Sequence, residues 1–413
     1  MSGPEPARGS RLARRAHRLA LRSFGLRARR AATLATLTLC CWLSPVTLDA
    51  QVAPEGAPHD LAALSRQVSA DPSDPVARIR LAMALLQSGA SDRAGFHLLQ
   101  ARAAPLTETE RLQLDALSAR IAARRNHEGW LSFAIVPETN PAQRTDADTI
   151  WIGDLPFRLN PDARARRTTG VHVNAGGAVM PRIGEGLRLR VGGSLAARLY
   201  EDRALQDITL RAELGLQGQT TAGHDWQITG STARRSLGGS HFGQGVGMHL
   251  AWTQRLGRAS VLRLRAETVD WRFRDHPALD GPRLAVSLDL RHALRPDTLL
   301  SGSVSLSRVD ARAPHEAGQS LRVGLGAQHG FPGGLVLGVE SYTESNRRDG
   351  RDPIFGILRR DHQSGLTLRL MHRNVALGNF APVIELSSTR QTSNSPLHAW
   401  HNTRASFSLS RLF

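Results

Sequence analysis

Leu187-Arg188-Leu189-Arg190-Val191-Gly192-Gly193-Ser194-Leu195-Ala196-Ala197-Arg198-Leu199 alternates between two kinds of residue along its whole length. Successive side chains of a β-strand point to opposite faces. One face is therefore aliphatic (Leu187, Leu189, Val191, Leu195, Leu199), and the other carries Arg188, Arg190, Ser194 and Arg198. The same period of two returns downstream. Leu284, Val286, Leu288 and Leu290 alternate with Ala285, Ser287, Asp289 and Arg291. Leu300, Val304 and Leu306 alternate with Ser301, Ser303, Ser305 and Ser307. Leu321, Val323 and Leu325 alternate with Arg322, Gly324 and Gly326, and Leu366, Leu368 and Leu370 with Thr367, Arg369 and Met371. Burying Arg, Asp and Ser as a complete second face would be costly in a compact core. A water-filled lumen removes that cost, because the polar face stays hydrated while the Leu/Val face meets lipid.

The reading is an all-β transmembrane barrel. Fifteen candidate strands are centred near 133, 154, 174, 192, 212, 229, 249, 266, 288, 303, 324, 339, 365, 383 and 407. The segment 149–159 is the weakest, with Gly153 and Pro156 inside it. Without it about fourteen antiparallel strands remain, and bacterial barrels have even strand numbers. Tight connections are expected at Gly257-Arg258, Arg295-Pro296-Asp297 and Phe331-Pro332-Gly333-Gly334, and longer ones at 273–281, 310–318, 345–356 and 391–399. Aromatic girdles must be sparse, because the chain has only two Tyr and seven Trp.

The chain ends Thr403-Arg404-Ala405-Ser406-Phe407-Ser408-Leu409-Ser410-Arg411-Leu412-Phe413. Phe413, Leu409, Phe407 and Ala405 share one phase with Arg411, and the other phase is mostly Ser. This resembles the closing strand of outer-membrane barrels, whose terminal Phe is read by the insertion machinery. That makes Phe407, Leu409 and Phe413 the candidate insertion signal and the barrel assembly machinery an expected partner. Arg411 departs from the pattern, which usually has an apolar residue there.

At the other end, nine arginines between Arg8 and Arg30 precede an apolar stretch from Ala31 to Leu48. Leu48-Asp49-Ala50 before Gln51 reads as a cleavage site of an export signal over 1–50. A retained anchor is opposed by Pro45, and a twin-arginine signal at Arg29-Arg30 by the residues that follow. Cys40 and Cys41 lie inside that stretch, so a cleaved chain would have no disulfide and no Cys-ligated metal. The formal net charge is +17. The first 50 residues carry nine Arg against Glu5 and Asp49, so a net of about +10 is left on the remainder. No Lys occurs. The arginines are spread through the strand phases rather than gathered in one tract, which fits a polar lumen and not nucleic acid.

Residues 58–125 read as helices, within a 51–128 domain that precedes the 129–413 barrel. Asp74 and Pro75 form an N-cap and first-turn pair. Ile79, Ala82, Met83 and Leu86 recur at helical spacing, and Gly89 is placed to end that helix. Another helix starts near Ser91 or Asp92. Thr107-Glu108-Thr109-Glu110 is a capping box, with Leu112, Leu114 and Leu117 behind it. Leu81, Ala82, Leu85, Gly89, Ala94, Leu98, Ala101 and Pro105 resemble one tetratricopeptide repeat. The alternative is a plain helical hairpin that plugs or supports the barrel.

Signal, short tetratricopeptide-like domain, fourteen strands and terminal Phe together resemble the surface lipoprotein assembly modifier family. The resemblance is carried by Ile354-Phe355-Gly356-Ile357-Leu358-Arg359-Arg360-Asp361 before a long strand. It is also carried by Phe380-Ala381-Pro382-Val383 opening a strand, and by Thr392-Ser393-Asn394-Ser395 turning into the last one. Leu199-Tyr200-Glu201-Asp202 and Leu237-Gly238-Gly239 are similar to family positions, and Pro137-Glu138-Thr139-Asn140 looks like the opening of the first strand. The resemblance implies an outer-membrane translocator with its helical domain in the periplasm. Its expected partners are outer-membrane lipid and a client, either a surface lipoprotein or a secreted haem- or metal-binding protein. The candidate family-motif and lumen or turn residues are Arg359, Arg360, Asp361, Pro382, Ser393 and Asn394.

No enzyme and no cofactor are expected. His398 and His401 are spaced to face opposite sides of a strand. Asp361, His362 and Ser364 lie on one strand without a nucleophile elbow. Gly238-Gly239-Ser240-His241-Phe242-Gly243-Gln244-Gly245 fits a hairpin turn better than a phosphate loop. The runner-up function is a passive porin with an Arg-rich, anion-favouring lumen, which an inward-folded 345–356 loop would support. A soluble periplasmic sandwich is the third.

Overall fold

The computed structural model describes residues 61–88, 91–124, 126–375 and 380–412. The signal segment, Cys40, Cys41, Gly89 and Phe413 lie outside the described residues. Four helices come first: α1 (Leu61–Ala70), α2 (Pro75–Gln87), α3 (Ser91–Ala101) and α4 (Glu108–Arg124). The Asp74 side chain accepts from the amides of Val76 at 2.8 Å and Ala77 at 3.2 Å, with Pro75 in the first turn. This satisfies donors that the first turn leaves without helical partners. The Thr107–Glu110 capping box also forms: Glu110 Oε2 accepts from the Thr107 amide at 2.8 Å, and Thr107 Oγ1 from the Glu110 amide at 3.4 Å. Val68, Ala77, Leu81, Ala82, Leu85, Ala94, Leu98 and Leu114 make the core of the helices. Ala82 and Ala94 are fully buried where α2 and α3 pack. Met83 and Leu112 are exposed, contrary to the expected stripe. The apolar face of α2 runs through Ala77, Leu81, Ala82 and Leu85, turned by about one residue.

The remaining elements are strands. β1 (His127–Glu138) is followed by β2 (Thr149–Ile152), β3 (Leu155–Arg158), β4 (Thr168–Val179), β5 (Arg182–Gly184) and β6 (Leu187–Tyr200). Next come β7 (Asp207–Gln219), β8 (Asp225–Leu237), β9 (Ser240–Leu256), β10 (Ser260–Phe273), β11 (Gly281–Arg295) and β12 (Thr298–Val309). β13 (Gly318–Gly330), β14 (Leu335–Arg351), β15 (Leu358–His372), β16 (Ala381–Ser393) and β17 (Trp400–Leu412) complete the set. Each long strand pairs antiparallel with the next, β4 pairs with β6 across the short β5, and β17 returns to β1. The closing register runs from Trp130↔Leu412 to Glu138↔Arg404. The result is a closed fourteen-stranded barrel. No helix among the described residues is long and apolar enough to cross a membrane.

As expected, the segment 149–159 is not a stave of the wall: it is a separate two-stranded hairpin, β2–β3, within the 139–167 connection. Two other expectations are corrected. Pro137 and Glu138 close β1 rather than open it. Ser345–Arg351 continues β14, so only 352–357 connects it to β15 and no long 345–356 loop exists to fold inward.

The two ends of the barrel differ. One carries tight turns such as 257–259 and 331–334, the latter with Gly333 and Gly334 at φ 89° and 100°. The helices dock there. Gly333 N–H donates to Ser69 O at 2.8 Å, and Ser69 Oγ to Asn374 Oδ1 at 2.8 Å. Arg78 is fully buried and donates to Pro72 O at 2.7 and 2.9 Å, to Gln100 Oε1, and to His97 Nδ1 at 3.4 Å. Burial, then the charge of Arg373 on the barrel, lowers the Arg78 pKa to about 9. At the opposite end the first and last loops are tied together. Asn140 is buried and donates to Arg144 O at 2.7 Å and His401 O at 3.2 Å, and Thr145 Oγ1 to Pro396 O at 2.7 Å.

Glycine and aromatic residues pair across the inner wall. Trp130 lies opposite Gly176, Tyr200 opposite Gly170, Trp271 opposite Gly245, Phe273 opposite Gly243 and Tyr342 opposite Gly365. A Cβ on Gly365 would meet the Tyr342 ring at 2.2 Å. The ring lies flat on a strand that has no side chain there. Both tyrosines of the protein are used this way. Near the helix end the outer wall carries the directly paired Trp226 and Trp252.

Two outcomes follow. Burial, then the charges of Arg78, Arg373 and Arg93, holds His97 well below 6.5. The unfolded state therefore binds more protons than the folded one below that pH, so stability is present above 6.5 and is lost as pH falls beneath it. The protection of amides in α2 and α3, taken relative to the intrinsic exchange rate at each pH, should fall between about pH 6.5 and 5, and the pH dependence should flatten in His97→Gln. Separately, Gly365→Val should cost about 1–3 kcal/mol by overpacking, measured by urea titration. Adding Tyr342→Ala should recover most of that loss.

Candidate functional site

The lumen is built by the strand period. Along β6 to β9 the inner wall carries Arg188, Arg190, Glu213, Gln217, Gln227, Thr229 and His249 at paired positions, and Arg255 further along β9, opposite Val261 of β10. Leu210, Leu214, Ile228, Val246 and Met248 stand exposed on the outer wall. Opposite charges meet inside, most on neighbouring strands and two pairs, Arg190–Glu128 and Arg211–Glu267, across intervening ones. Arg190 contacts Glu128 and lies 2.7 Å from Glu213. Arg211 reaches Glu267 at 2.5 Å, Arg265 reaches Asp289 at 2.7 Å and Arg235 reaches Asp207 at 2.8 Å. Further round, Arg369 and Arg404 each lie 3.0 Å from Glu385. Arg322 stacks 3.6 Å over the Tyr342 ring. Pairs of this kind, still partly hydrated, contribute little stability each. Their effect is to fix where the guanidinium groups stand.

The helices complete one mouth of this lumen. A cavity of about 2010 Å³ is lined jointly by Arg93 and His97 of α3, by Arg102 just after it, and by Glu128, Arg190, Arg211, Arg265 and Arg373 of the barrel. Arg102 is paired with Asp115 of α4 at 2.5 Å, and Asp115 lies 3.8 Å from Arg255 at the end of β9. Arginines outnumber carboxylates around the cavity.

The sequence-derived residues separate into distinct places. Arg359 and Asp361 face the lumen and pair at 2.9 Å, with Asp361 buried. Arg360 does not join them: alternation turns it to the outer wall, where it is exposed. Pro382 opens β16 opposite Leu409. Asn394 fixes the turn after β16, its Oδ1 accepting from the Arg360 amide at 2.8 Å and its Nδ2 donating to Leu358 O at 2.9 Å. Ser393 Oγ accepts from the Ser395 amide at 3.0 Å. Phe407 lies on the outer wall between Ile135 and Ile384, and Leu409 pairs with Phe133.

Asp361 faces inward and His362 outward, so the two do not form a catalytic pair. His398 hydrogen-bonds Ser395 in the turn, whereas His401 stands on β17. Among the described residues no three His, Cys, Asp or Glu side chains converge as metal ligands would. Gly238 and Gly239, at φ 62° and 79°, form the two-residue turn between β8 and β9.

One cluster was not read from the sequence. Glu138 is buried at the closing seam, where it accepts from Tyr200 Oη at 2.8 Å and Asn402 Nδ2 at 3.0 Å, with His172 Nε2 at 3.4 Å. These residues come from β1, β6, β17 and β4. Only the register across the seam brings them together.

Comparison with curated protein sequences gives no match. Solved structures with similar chain paths include the toluene transporter TodX of Pseudomonas putida. It is 11% identical, with 76% of this chain and 97% of that chain covered and a TM-score of 0.40. OmpT with loop L8 deleted, an outer membrane protein of Vibrio cholerae, is 7% identical, with 70% and 99% covered and a TM-score of 0.39. OccK1 (OpdK) of Pseudomonas aeruginosa is 10% identical, with 70% and 99% covered and a TM-score of 0.36. The model of the surface lipoprotein assembly modifier family matches residues 159–413, which take in β4 to β17 and the closing strand. The chain belongs to the surface lipoprotein assembly modifier family.

Proposed function

We propose that this protein is an outer-membrane translocator that moves client surface lipoproteins, or secreted haem- or metal-uptake proteins, to the cell surface. Its helical domain lies in the periplasm and presents the client to the lumen. The observation that carries this reading is the shared cavity. Helix α3 and the inner wall line one space, so whatever the helices hold is already at the mouth of the barrel. A fourteen-stranded lumen lies between the filled interior of eight-stranded barrels and the open channel of larger porins. It suits an extended chain or a hairpin, not a folded domain. A client would therefore cross unfolded or as strands, with the barrel's ion pairs lining its path.

The second reading, a passive channel favouring anions, draws on the excess of arginine in the lumen. It loses the constriction that an inward 345–356 loop would have supplied, because that segment continues β14. The docked helices favour the translocator, since a simple pore has no use for a domain at its mouth. The tetratricopeptide-like character of the helices belongs to this proposal. Ala82, Ala94 and Ala101 are fully buried, as close helix packing of that kind requires.

Two measurements test it. Deleting residues 51–124, which stops short of β1, should abolish surface exposure of a co-expressed client lipoprotein while the barrel still migrates as a heat-modifiable species. Undiminished display would remove the helices from the mechanism. Deleting Phe413 should reduce the amount of folded barrel in the outer-membrane fraction by roughly tenfold or more, a cost of at least about 1.4 kcal/mol on the insertion step. Wild-type amounts would show that the insertion machinery does not read this end.

A further inference from the structure

We infer that the outer wall of β14 to β17, at the end away from the helices, is a binding site for the phosphate groups of a membrane glycolipid. On this sector the last fully aliphatic row is Val339, Leu368 and Leu386, and in the next row Leu366 already stands between Ser341 and Ser388. Beyond it the exposed, outward positions change character. Thr343, Ser364, Arg390 and His401 form one row, Ser345, His362 and Thr392 the next, and Arg347 and Arg360 the one after, short of the exposed Leu358 that starts β15. From Ser364 to Arg360 along β15 is about 14 Å.

Arg347 and Arg360 are direct cross-strand partners. Like charges placed opposite each other destabilise a sheet. Arg347, Arg360 and Arg390 have no ion pair among the described residues. The carboxylate two residues along β14, Asp349, is already held by Arg308 at 2.7 Å. Elsewhere on the same rim the outward arginines Arg308 and Arg272 have carboxylate partners, Asp310 and Asp270, at 2.6 and 3.0 Å. Arg234 on β8 is also outward without an ion pair among the described residues, but its cross-strand neighbours are Leu210 and Gln244, so it is the clustering of three unmatched arginines that is local to β14 to β17.

An outward side chain just past the aliphatic belt reaches the headgroup layer and nothing else in the bilayer. A phosphate there accepts fork-like pairs of hydrogen bonds from guanidinium groups, relieves the Arg347–Arg360 repulsion and is further met by the hydroxyls of Thr343, Ser345 and Thr392. The occupant we assign is a phosphorylated glycolipid of the outer leaflet. That choice of leaflet rests on the periplasmic placement of the helices proposed above.

The test is native mass spectrometry of the full chain with four probes: a bis-phosphorylated lipid A, the same lipid with its phosphates removed, phosphatidylglycerol and inorganic phosphate. The wild type should retain the phosphorylated glycolipid at least about tenfold better than the dephosphorylated form, a comparison that needs no variant. Arg347→Ser/Arg360→Ser/Arg390→Ser should lose that preference. Replacing the same three residues by Lys should keep part of it, and Arg234→Ser, an outward arginine on β8, should change nothing. A triple Ser variant that remains heat-modifiable and holds the glycolipid as tightly as wild type overturns the proposal. So does equal binding of both glycolipids, or capture of inorganic phosphate alone. A preference for phosphatidylglycerol with the same three arginines required would keep a lipid-phosphate site but overturn the glycolipid assignment. It would place this rim in the other leaflet, counting against the orientation and not against client transport.

Discussion

Everything in the barrel depends on one set of backbone hydrogen bonds, those between β1 and β17. Hydrocarbon offers no partner to a free strand edge, so a sheet can cross it only when its first and last strands meet. Trp130 and Leu412 are more than 280 residues apart in sequence, yet their pairing removes both edges at once. The side chains at the seam reinforce it. Glu138, Tyr200, Asn402 and His172 join four strands across it, while Asn140 and Thr145 bind the first loop to the last. The closing contact is also the least local one, so its loop-closure entropy must be met late. A chain of this kind is exposed to misassembly until its final strand is in place.

Once closed, the wall assigns a role to each phase of every strand. The outer phase is Leu, Val and Ile, with few aromatics. The inner phase holds paired Arg, Asp and Glu. The inward aromatics are kept from projecting into the lumen by lying over glycines on the adjacent strand, as Tyr342 does over Gly365. This accounts for part of the glycine content and for the thin aromatic girdle. Residues that commonly sit at membrane interfaces are used to smooth the inner wall.

The strand period was legible because lipid outside and water inside preserve it over the full height of each strand. Leu187–Leu199 gave both the fold and the lumen face, and the even strand number excluded the 149–159 segment. The helix caps at Asp74 and Thr107 were legible because they are local. Registers and strand ends were harder to read. Ser345–Arg351 is polar on both faces, as a loop would be, yet it remains hydrogen-bonded because β14 rises past the apolar belt. Arg359-Arg360-Asp361 reads as one charged cluster, but the period of two sends its middle member outside. The Glu138 cluster depends on which residues of β1, β4, β6 and β17 end up level, and no local pattern encodes that.

The cationic side chains in the sequence are all guanidinium groups. A lysine lumen would lose charge where burial lowers its pKa; a guanidinium keeps its charge across any pH a cell meets. The guanidinium groups of the inner wall are therefore fixed charges whose number is set at synthesis. The surrounding medium alters the reach of these guanidinium groups through ionic strength, by shortening the distance over which each is felt, from about 10 Å at 0.1 M salt to about 3 Å at 1 M.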